Sequence, residues 1–500
     1  MRKLAVFFIF LFFLASTGYL AYNHSQSERF GDETAHFIGG HFINKGKRLY
    51  QDMQFNHMPL PYFFSAITEH ITQPKNLYLF VARQRESIFI YSALWNFIFY
   101  FIFGQMFFLF ILVFEIAKYF FQGYKVLNET IATYPLIFMF GVTVESFIYK
   151  KIPSKFTAII FSVAAFIVSF SLLPLWIVII PLFVILLYSL RKRKSLWKFV
   201  ILPFCILIFI LSYFVSFPHL FKESIINNFV YFLPNSGGKI SFVRMISLPY
   251  ASFFPPYSPA KLLVGLLTIF TLLSLFTSLQ KRVFKKYVIV VVLLMLVNFF
   301  SVDDYGFGNF HLLPWIAILI ALEIFWIKNS RHTYVQYKLI VFVFFITYLF
   351  LVSGKTLYAK RNLSNDFYVN YSESESYGKA VMVLNKTRDR LLVMNDPIIY
   401  WTAQTSAPTR VLEYYSWVYY MPEYKKELIS LFRNNPPEFI IDTGLNPRIE
   451  VEKNIRFILE TDYQNIYHVG KPSRLYIYKD RVNSISEAQR DALKEILYTL

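Results

Sequence analysis

Long apolar runs, separated by clusters of Lys and Arg, most constrain how this chain can fold. A membrane-spanning helix needs about 20 apolar residues in succession. Two of the runs are long enough for two helices each, so we predict an α-helical polytopic membrane protein with about eleven spans. The candidate spans are Leu4–Tyr22, Ser87–Phe121 (two), Ile131–Tyr149, Phe156–Leu190 (two), Phe199–Ser216, Leu262–Leu279, Tyr287–Ser301, His311–Ile327 and Leu339–Val352.

The composition excludes two other classes of protein. Of the 500 residues, 56% are hydrophobic and 16% are charged, whereas soluble domains are about 45–50% apolar and about 25% charged. An aromatic content of 20% excludes a disordered chain. The single cysteine, Cys205, lies in an apolar run, which excludes a disulfide framework and a cysteine-based metal site.

The distribution of charge predicts the orientation in the membrane. Residues 1–354 carry 30 Lys and Arg but 13 Asp and Glu, whereas residues 355–500 carry 20 and 18. The basic excess of the apolar part indicates cytoplasmic loops and no nucleic-acid partner. The clusters on the predicted cytoplasmic side are Arg2/Lys3, Lys150/Lys151/Lys155, Arg191–Lys194, Lys281/Arg282/Lys285/Lys286 and Lys328/Arg331/Lys338.

This pattern predicts a multi-pass protein, in the plasma membrane, with a cytoplasmic N-terminus and an extracytoplasmic C-terminal domain. We interpret the first span as an uncleaved anchor; the alternative is a cleaved signal peptide. Residues 1–354 form the predicted membrane module, with outer loops at 23–86 and 217–259. Residues 355–500 form the predicted extracytoplasmic domain.

The C-terminal tail, residues 355–500, alternates helices with short apolar strands, a pattern that is typical of a small α/β domain. The predicted elements are a helix near Tyr377–Thr387, a strand Leu391–Met394, a helix Pro422–Asn434, strands Phe439–Asp442 and Leu475–Lys479, and a helix Ser486–Leu500. No Gly-rich phosphate loop occurs in the chain.

The strongest local motif is Gly31-Asp32-Glu33-Thr34-Ala35-His36, in the first outer loop. It opens an amphipathic stretch that suits a helix in the membrane interface. Asp32 is interpreted either as the N-cap of that helix or as a general base at the membrane surface. Asp32 and His36 are four residues apart and would share a face, which leaves a two-ligand metal site open.

Three further motifs follow in order along the chain. The first motif, Gly46 to Asp52, contains Tyr50. The second, His57 to Pro61, begins a helix with a proline. The third, His311-Leu312-Leu313-Pro314, opens a late span. Taken together with Asp32-Glu33, this ordered set resembles the GT-C superfamily of polytopic glycosyltransferases. The nearest branch is the family 39-like group of protein O-mannosyltransferases and aminoarabinose transferases. The resemblance implies two adjacent prolines in the second motif, whereas this chain has Leu60 between Pro59 and Pro61.

The resemblance implies a membrane glycosyltransferase, mannosyltransferase-like, that acts in cell-envelope glycosylation. Such enzymes transfer a sugar from a polyprenyl-phosphate donor to a protein, lipid or glycan acceptor on the non-cytoplasmic face. By resemblance, Asp32 is the base of an inverting transfer, Glu33 positions groups, and Glu129 is a second acid. The candidate acceptor or pocket residues are His36, Tyr50, His57, Asp303 and Asp304; the alternative for Asp303 and Asp304 is that they only solvate a loop.

A phosphate leaving group needs cationic support. The candidates on the predicted outer side are Arg83, Arg85, Lys239, Arg244 and His311. The alternative for the Lys and Arg side chains is contact with the headgroups of membrane lipids. The alternative for His311 is a structural hydrogen bond at the end of a span. No cofactor is predicted with certainty, and a divalent metal remains open.

Two other functions compete with a transferase. The first is a lipid or polysaccharide transporter with an extracytoplasmic domain, which would favour charges in mid-membrane or an inverted repeat. The sequence shows neither, since its few acids inside spans, Glu115, Glu145 and Glu323, lie near span ends. The second is a non-catalytic scaffold, which would leave Asp32 and Glu33 without a pocket.

Overall fold

The chain divides into two compact units, each built from three separate stretches. The first unit comprises Met1–Ser25, Arg85–Tyr213 and Lys239–Arg361, and the second comprises Gln26–Gln84, Phe214–Gly238 and Asn362–Leu500. The structure, a computed structural model, describes residues 2–25, 30–232, 234, 259–278, 292, 307–328, 363–384, 390–394, 396–414, 418–442, 450–468 and 471–498.

The membrane part of the chain is helical, as predicted. Its helices are α1 (Arg2–Ser25), α4 (Leu77–Phe103), α5 (Phe108–Ala117), α6 (Asn128–Phe147), α7 (Lys155–Ser171), α8 (Trp176–Ser189), α9 (Trp197–Phe214), α10 (Pro259–Ser278) and α11 (Leu313–Lys328). Among the described residues, four stretches are long and apolar enough to cross a membrane: Leu4–Ser25, Leu77–Phe103, Asn128–Phe147 and Arg191–Phe214. The predicted spans Tyr287–Ser301 and Leu339–Val352 lie outside the described residues, so the number of spans stays a prediction.

Both long apolar runs are divided between two helices, although α5, with 10 residues, is shorter than the about 20 residues that a span needs. The first run breaks at Gly104, whose φ of +85° is a conformation that glycine adopts without strain. The helices on either side pack together, because the amide of Asn96 donates to Glu115 over 2.8 Å. The second run is divided between α7 and α8 by a single 3-10 turn that contains Pro174.

Helix α6 is the buried centre of the first unit. Every residue from Asn128 to Ser146 is buried. Gly141 allows the close packing, since a Cβ atom there would lie 2.6 Å from the rings of Phe103 and Phe325. The helix is therefore fixed on all sides, and its two ends hold their side chains at defined positions.

The second unit begins with α2 (Gly31–Asn44) and α3 (Leu60–Thr72). These helices pack closely at Gly40, where a Cβ atom would lie 2.6 Å from the backbone nitrogen of Ala66. The apolar stripe of α2 faces protein: Phe37 contacts the ring of Phe80, and Phe42 contacts the ring of Tyr400. The interface helix predicted from the sequence is thus buried within its own unit along this stripe.

A four-stranded mixed sheet lies in the C-terminal stretch of the second unit. Its strands are β1 (Leu391–Met394), β2 (Phe439–Asp442), β3 (Tyr463–His468) and β4 (Lys471–Tyr478), in the order β1-β2-β4-β3. Strands β1 and β2 are parallel, and the other two pairings are antiparallel. The longer helices of this region are α12 (Leu363–Leu384), α13 (Pro422–Asn434), α14 (Glu450–Asp462) and α15 (Glu487–Tyr498).

The predicted tail elements are confirmed at β1, β2 and α13, whose bounds match the prediction. Strand β4 begins four residues earlier than predicted, at Lys471. Helix α14 and strand β3 were missed. The residues of α14 are mostly polar apart from a narrow apolar face, and β3 lies at the edge of the sheet, where its polar residues need not be buried.

Candidate functional site

The Asp32-Glu33 motif occupies the first turn of α2. The helix begins at Gly31 and its N-cap is Phe30, so Asp32 lies inside the first turn and is not the N-cap. Asp32 is half-buried, whereas Glu33 is fully buried. Acidic groups in a first turn interact favourably with the helix dipole. This placement leaves the Asp32 carboxylate at least partly accessible.

One turn further along α2, His36 joins a buried polar cluster. Its Nε2 atom lies 3.1 Å from Nδ1 of His57. The carbonyl oxygen of His57 accepts hydrogen bonds from the hydroxyl of Tyr50 over 2.7 Å and from that of Ser224 over 3.0 Å. Three predicted pocket residues, His36, Tyr50 and His57, therefore come together here.

Burial sets the acidity of the hydroxyl groups in this cluster. It raises the pKa of Tyr50 well above its usual value, with a further increase from the nearby Glu223 carboxyl. It also raises the pKa of Tyr62, which packs against the ring of His36. The hydroxyl of Tyr50 therefore keeps its proton, which it donates to the carbonyl oxygen of His57.

Glu223 is a buried carboxyl that the sequence analysis did not place in the site. The hydroxyl of Tyr424 donates to one of its oxygen atoms, and the amide of Asn227 donates to the other over 2.8 Å. Burial nevertheless raises the pKa of Glu223 above its usual range, against the lowering effect of these hydrogen bonds. The one available signal was its rarity, since it is the only acid in the loop 217–259.

The raised pKa makes a testable contribution to stability. Above about pH 4.5, the ordinary pKa of a glutamate, the unfolded chain loses the proton that Glu223 keeps in the folded chain. The free energy of unfolding therefore falls as the pH rises above this value. Glu223→Gln cannot ionise, so we expect it to flatten this decline. The check is the melting temperature of the full-length protein in detergent between pH 4 and 7.

Glu423 supplies a control of opposite sign. Burial alone would raise the pKa of Glu423, but its ion pairs with Arg410 and Lys222 lower it. Ionised Glu423 stabilises the fold at pH values above its pKa in the unfolded chain. This stabilisation is lost as the pH falls through its lower pKa in the folded chain. Glu423→Gln should therefore lose stability near neutral pH rather than in acid. Parallel curves for the wild type and Glu223→Gln would contradict the prediction for Glu223.

In the first unit, Glu129 and His311 form a pair. The carboxylate of Glu129 lies 2.7 Å from Nδ1 of His311, across 182 residues of sequence. Glu129 is in the first turn of α6, and His311 is in the short helical turn before α11. Glu129 is 5% exposed and His311 is 31% exposed, so the carboxylate orients an imidazole that remains accessible.

A second ionic cluster lies deeper in the same unit. Lys118 and Glu115 form an ion pair of 2.5 Å with both side chains almost fully buried. Tyr134 donates to Glu115 over 2.7 Å and accepts from Lys118 over 3.0 Å. Asn96 donates to the same carboxylate. A Lys and a Glu three residues apart in an apolar run were the signal for this cluster, because charges inside spans are rare.

The remaining predicted cations differ in their surroundings. Arg83 is exposed. Arg85 is 2% exposed, and its Nη1 atom donates to the carbonyl oxygen of Ser25 over 3.2 Å, which joins α4 to the end of α1. Lys239, Arg244, Asp303 and Asp304 lie outside the described residues.

The described residues contain no group of three or more His, Cys, Asp or Glu side chains that could hold a metal ion. His36 has His57 as its nearest imidazole partner, and the two-ligand set of Asp32 and His36 gains no third member in this part of the chain.

Comparison with known proteins identifies the fold. No protein-family model and no curated protein matches the sequence. Among solved structures, the crystal structure of ArnT from Cupriavidus metallidurans bound to undecaprenyl phosphate is similar, with a TM-score of 0.51 and 11% identity. The similarity covers 94% of this chain and 97% of that one. The chain therefore has the GT-C fold, with a helical membrane part and a small C-terminal α/β region.

Proposed function

We propose that this protein is a membrane glycosyltransferase that takes a sugar from a polyprenyl-phosphate donor. The observation that carries the proposal is the similarity to ArnT bound to undecaprenyl phosphate, which extends over 94% of the chain. The acceptor is a protein, lipid or glycan on the non-cytoplasmic face. The proposed location is the plasma membrane, with the N-terminus in the cytoplasm and the C-terminal domain outside.

In the proposed reaction, Asp32 removes the proton from an acceptor hydroxyl. The acceptor oxygen attacks the anomeric carbon from the face opposite the phosphate, so the configuration inverts. The bond between that carbon and the phosphate oxygen breaks, and the lipid phosphate leaves with the electron pair. The half-buried carboxylate of Asp32, in the first turn of α2, supports this role.

The leaving phosphate gains negative charge and needs hydrogen-bond donors or cations. We propose His311, oriented by Glu129, together with Arg83, Lys239 and Arg244 for this role. Arg85 belongs to the same predicted set, but its bond to the Ser25 carbonyl favours a structural role. We assign Tyr50, His36 and His57 to the pocket for the acceptor or the sugar, together with Asp303 and Asp304.

The test is sugar release from labelled polyprenyl-phosphate monosaccharides. Membranes that contain the wild-type protein are compared with membranes of the same cells without it, in the presence of an envelope extract as the source of acceptor. We expect turnover of one sugar from the panel, which also names the donor. Absence of turnover with every donor and extract would contradict the proposal, whereas movement of an intact donor across the bilayer would favour the transporter.

A further inference from the structure

A pocket of about 430 Å³ opens in the first unit at the C-terminal end of α6. Phe101, Ile152 and Phe156 line it with apolar surface, and Glu145 and Lys151 line it with charge. Its volume is within the range of about 300–1,000 Å³ that is typical of small-molecule sites. None of these residues belongs to the candidate site described above.

The pocket and the Glu129–His311 pair lie at opposite ends of α6. Sixteen residues of α helix separate Glu145 from Glu129, a rise of about 24 Å. The hydrocarbon core of a bilayer is about 30 Å thick. If Glu129 lies at the outer face, as the proposed function requires, the pocket opens at the cytoplasmic leaflet.

The mouth of the pocket is both apolar and cationic. Phe101 and Phe156 are 69% and 66% exposed, so they are in reach of acyl chains. Lys151 is 55% exposed, and its ammonium group lies 2.7 Å from the 10% exposed carboxylate of Glu145. Lys150 and Lys155 are close to Lys151 in the sequence, so the positive charges here outnumber the single negative charge of Glu145.

We propose that this pocket binds the headgroup of an anionic phospholipid from the cytoplasmic leaflet. The lipid phosphate pairs with Lys151, and the acyl chains lie against Phe101 and Phe156. Glu145 competes with the phosphate for Lys151 and so weakens binding. Anionic lipids are concentrated in the cytoplasmic leaflet, where each nearby Lys strengthens attraction. The proposal rests on the orientation given under the proposed function, but it concerns binding and needs no transfer activity.

The test is native mass spectrometry of the full-length protein after equilibration with equal amounts of phosphatidylglycerol, phosphatidylethanolamine and phosphatidylcholine. We expect phosphatidylglycerol to be retained most. Lys151→Gln should lower its retention by about fivefold, the factor for one Lys near an anionic leaflet. Glu145→Gln should raise retention. Lys192→Gln is the matched control, because it removes one positive charge on the same predicted face but does not line the pocket.

Three results would overturn the proposal. Equal losses in Lys151→Gln and Lys192→Gln would indicate general surface attraction. Preferred retention of phosphatidylethanolamine would indicate that Glu145 selects an ammonium group. A lower retention in Glu145→Gln would show that the acid supports binding rather than opposing it. Because no sugar donor is present, these results are independent of the donor panel, and either test can fail alone.

Discussion

Asp32→Asn should lower the rate of sugar transfer by at least about 100-fold, the lower end of the effect of general-base catalysis. The substitution preserves the size of the side chain and removes its ability to accept a proton. The measurement is initial-rate turnover of the donor identified in the panel, with protein levels matched. Since the base acts in the transfer step, we expect kcat to fall more than KM rises.

Asp52→Asn is the matched control. Asp52 lies in the same loop region, is exposed, and accepts a hydrogen bond from the backbone nitrogen of Arg48 over 2.8 Å. Its replacement removes the same charge and should leave turnover nearly unchanged. Equal activities of the wild type and Asp32→Asn would contradict the assignment. Asp32 would then act only through its favourable interaction with the dipole of α2.

Glu115→Leu is expected to destabilise the protein by about 3–5 kcal/mol, because it leaves the buried Lys118 ammonium without its ion-pair partner. The exposed fraction of each side chain is only 1–3%. The measurement is the free energy of unfolding by SDS titration in mixed micelles. The double variant Glu115→Leu/Lys118→Met should recover most of the loss, because it buries no charge.

The double variant also separates two explanations of the loss. If it is as unstable as the sum of the single variants, the hydrogen bonds with Tyr134 and Asn96, and not the uncompensated charge, account for the effect. Leu112→Met provides a packing control, because it changes an apolar side chain of the same helix without touching a charge. Volume-conserving changes of this kind usually cost less than about 1.5 kcal/mol.

Local features of the sequence were sufficient to predict much of the fold. The apolar runs predicted the helices of the membrane part, whereas the break at Gly104, a residue that tolerates positive φ, was not predicted. Strands β1 and β2 were predicted with their observed bounds because β1 is apolar throughout and β2 is apolar up to Asp442, its last residue. The start of α2 was less predictable: a local preference favours Asp32 as N-cap, but Phe30 has the extended backbone of that position.

The candidate site depends on pairings that local patterns do not contain. His311 meets Glu129 across 182 residues, and Tyr424 meets Glu223 across 201. Each of these residues has an ordinary neighbourhood in the sequence, so its partner follows only from the packing of whole helices. The sequence motifs therefore selected individual candidate residues, whereas the structure shows which of them share hydrogen bonds.

The three-part construction of the second unit has a consequence for biosynthesis. Trp401 stacks on Phe80 at 4.7 Å and donates to Glu69, which is 332 residues earlier in the chain. At about 5–20 residues per second, a ribosome needs roughly 20 s to 1 min to make the intervening chain. Throughout that interval the ring of Phe80, near the start of α4, lacks the Trp401 ring that covers it in the folded protein. The nascent protein thus passes through a long-lived, aggregation-prone stage, and a chaperone that shields this ring should raise its yield.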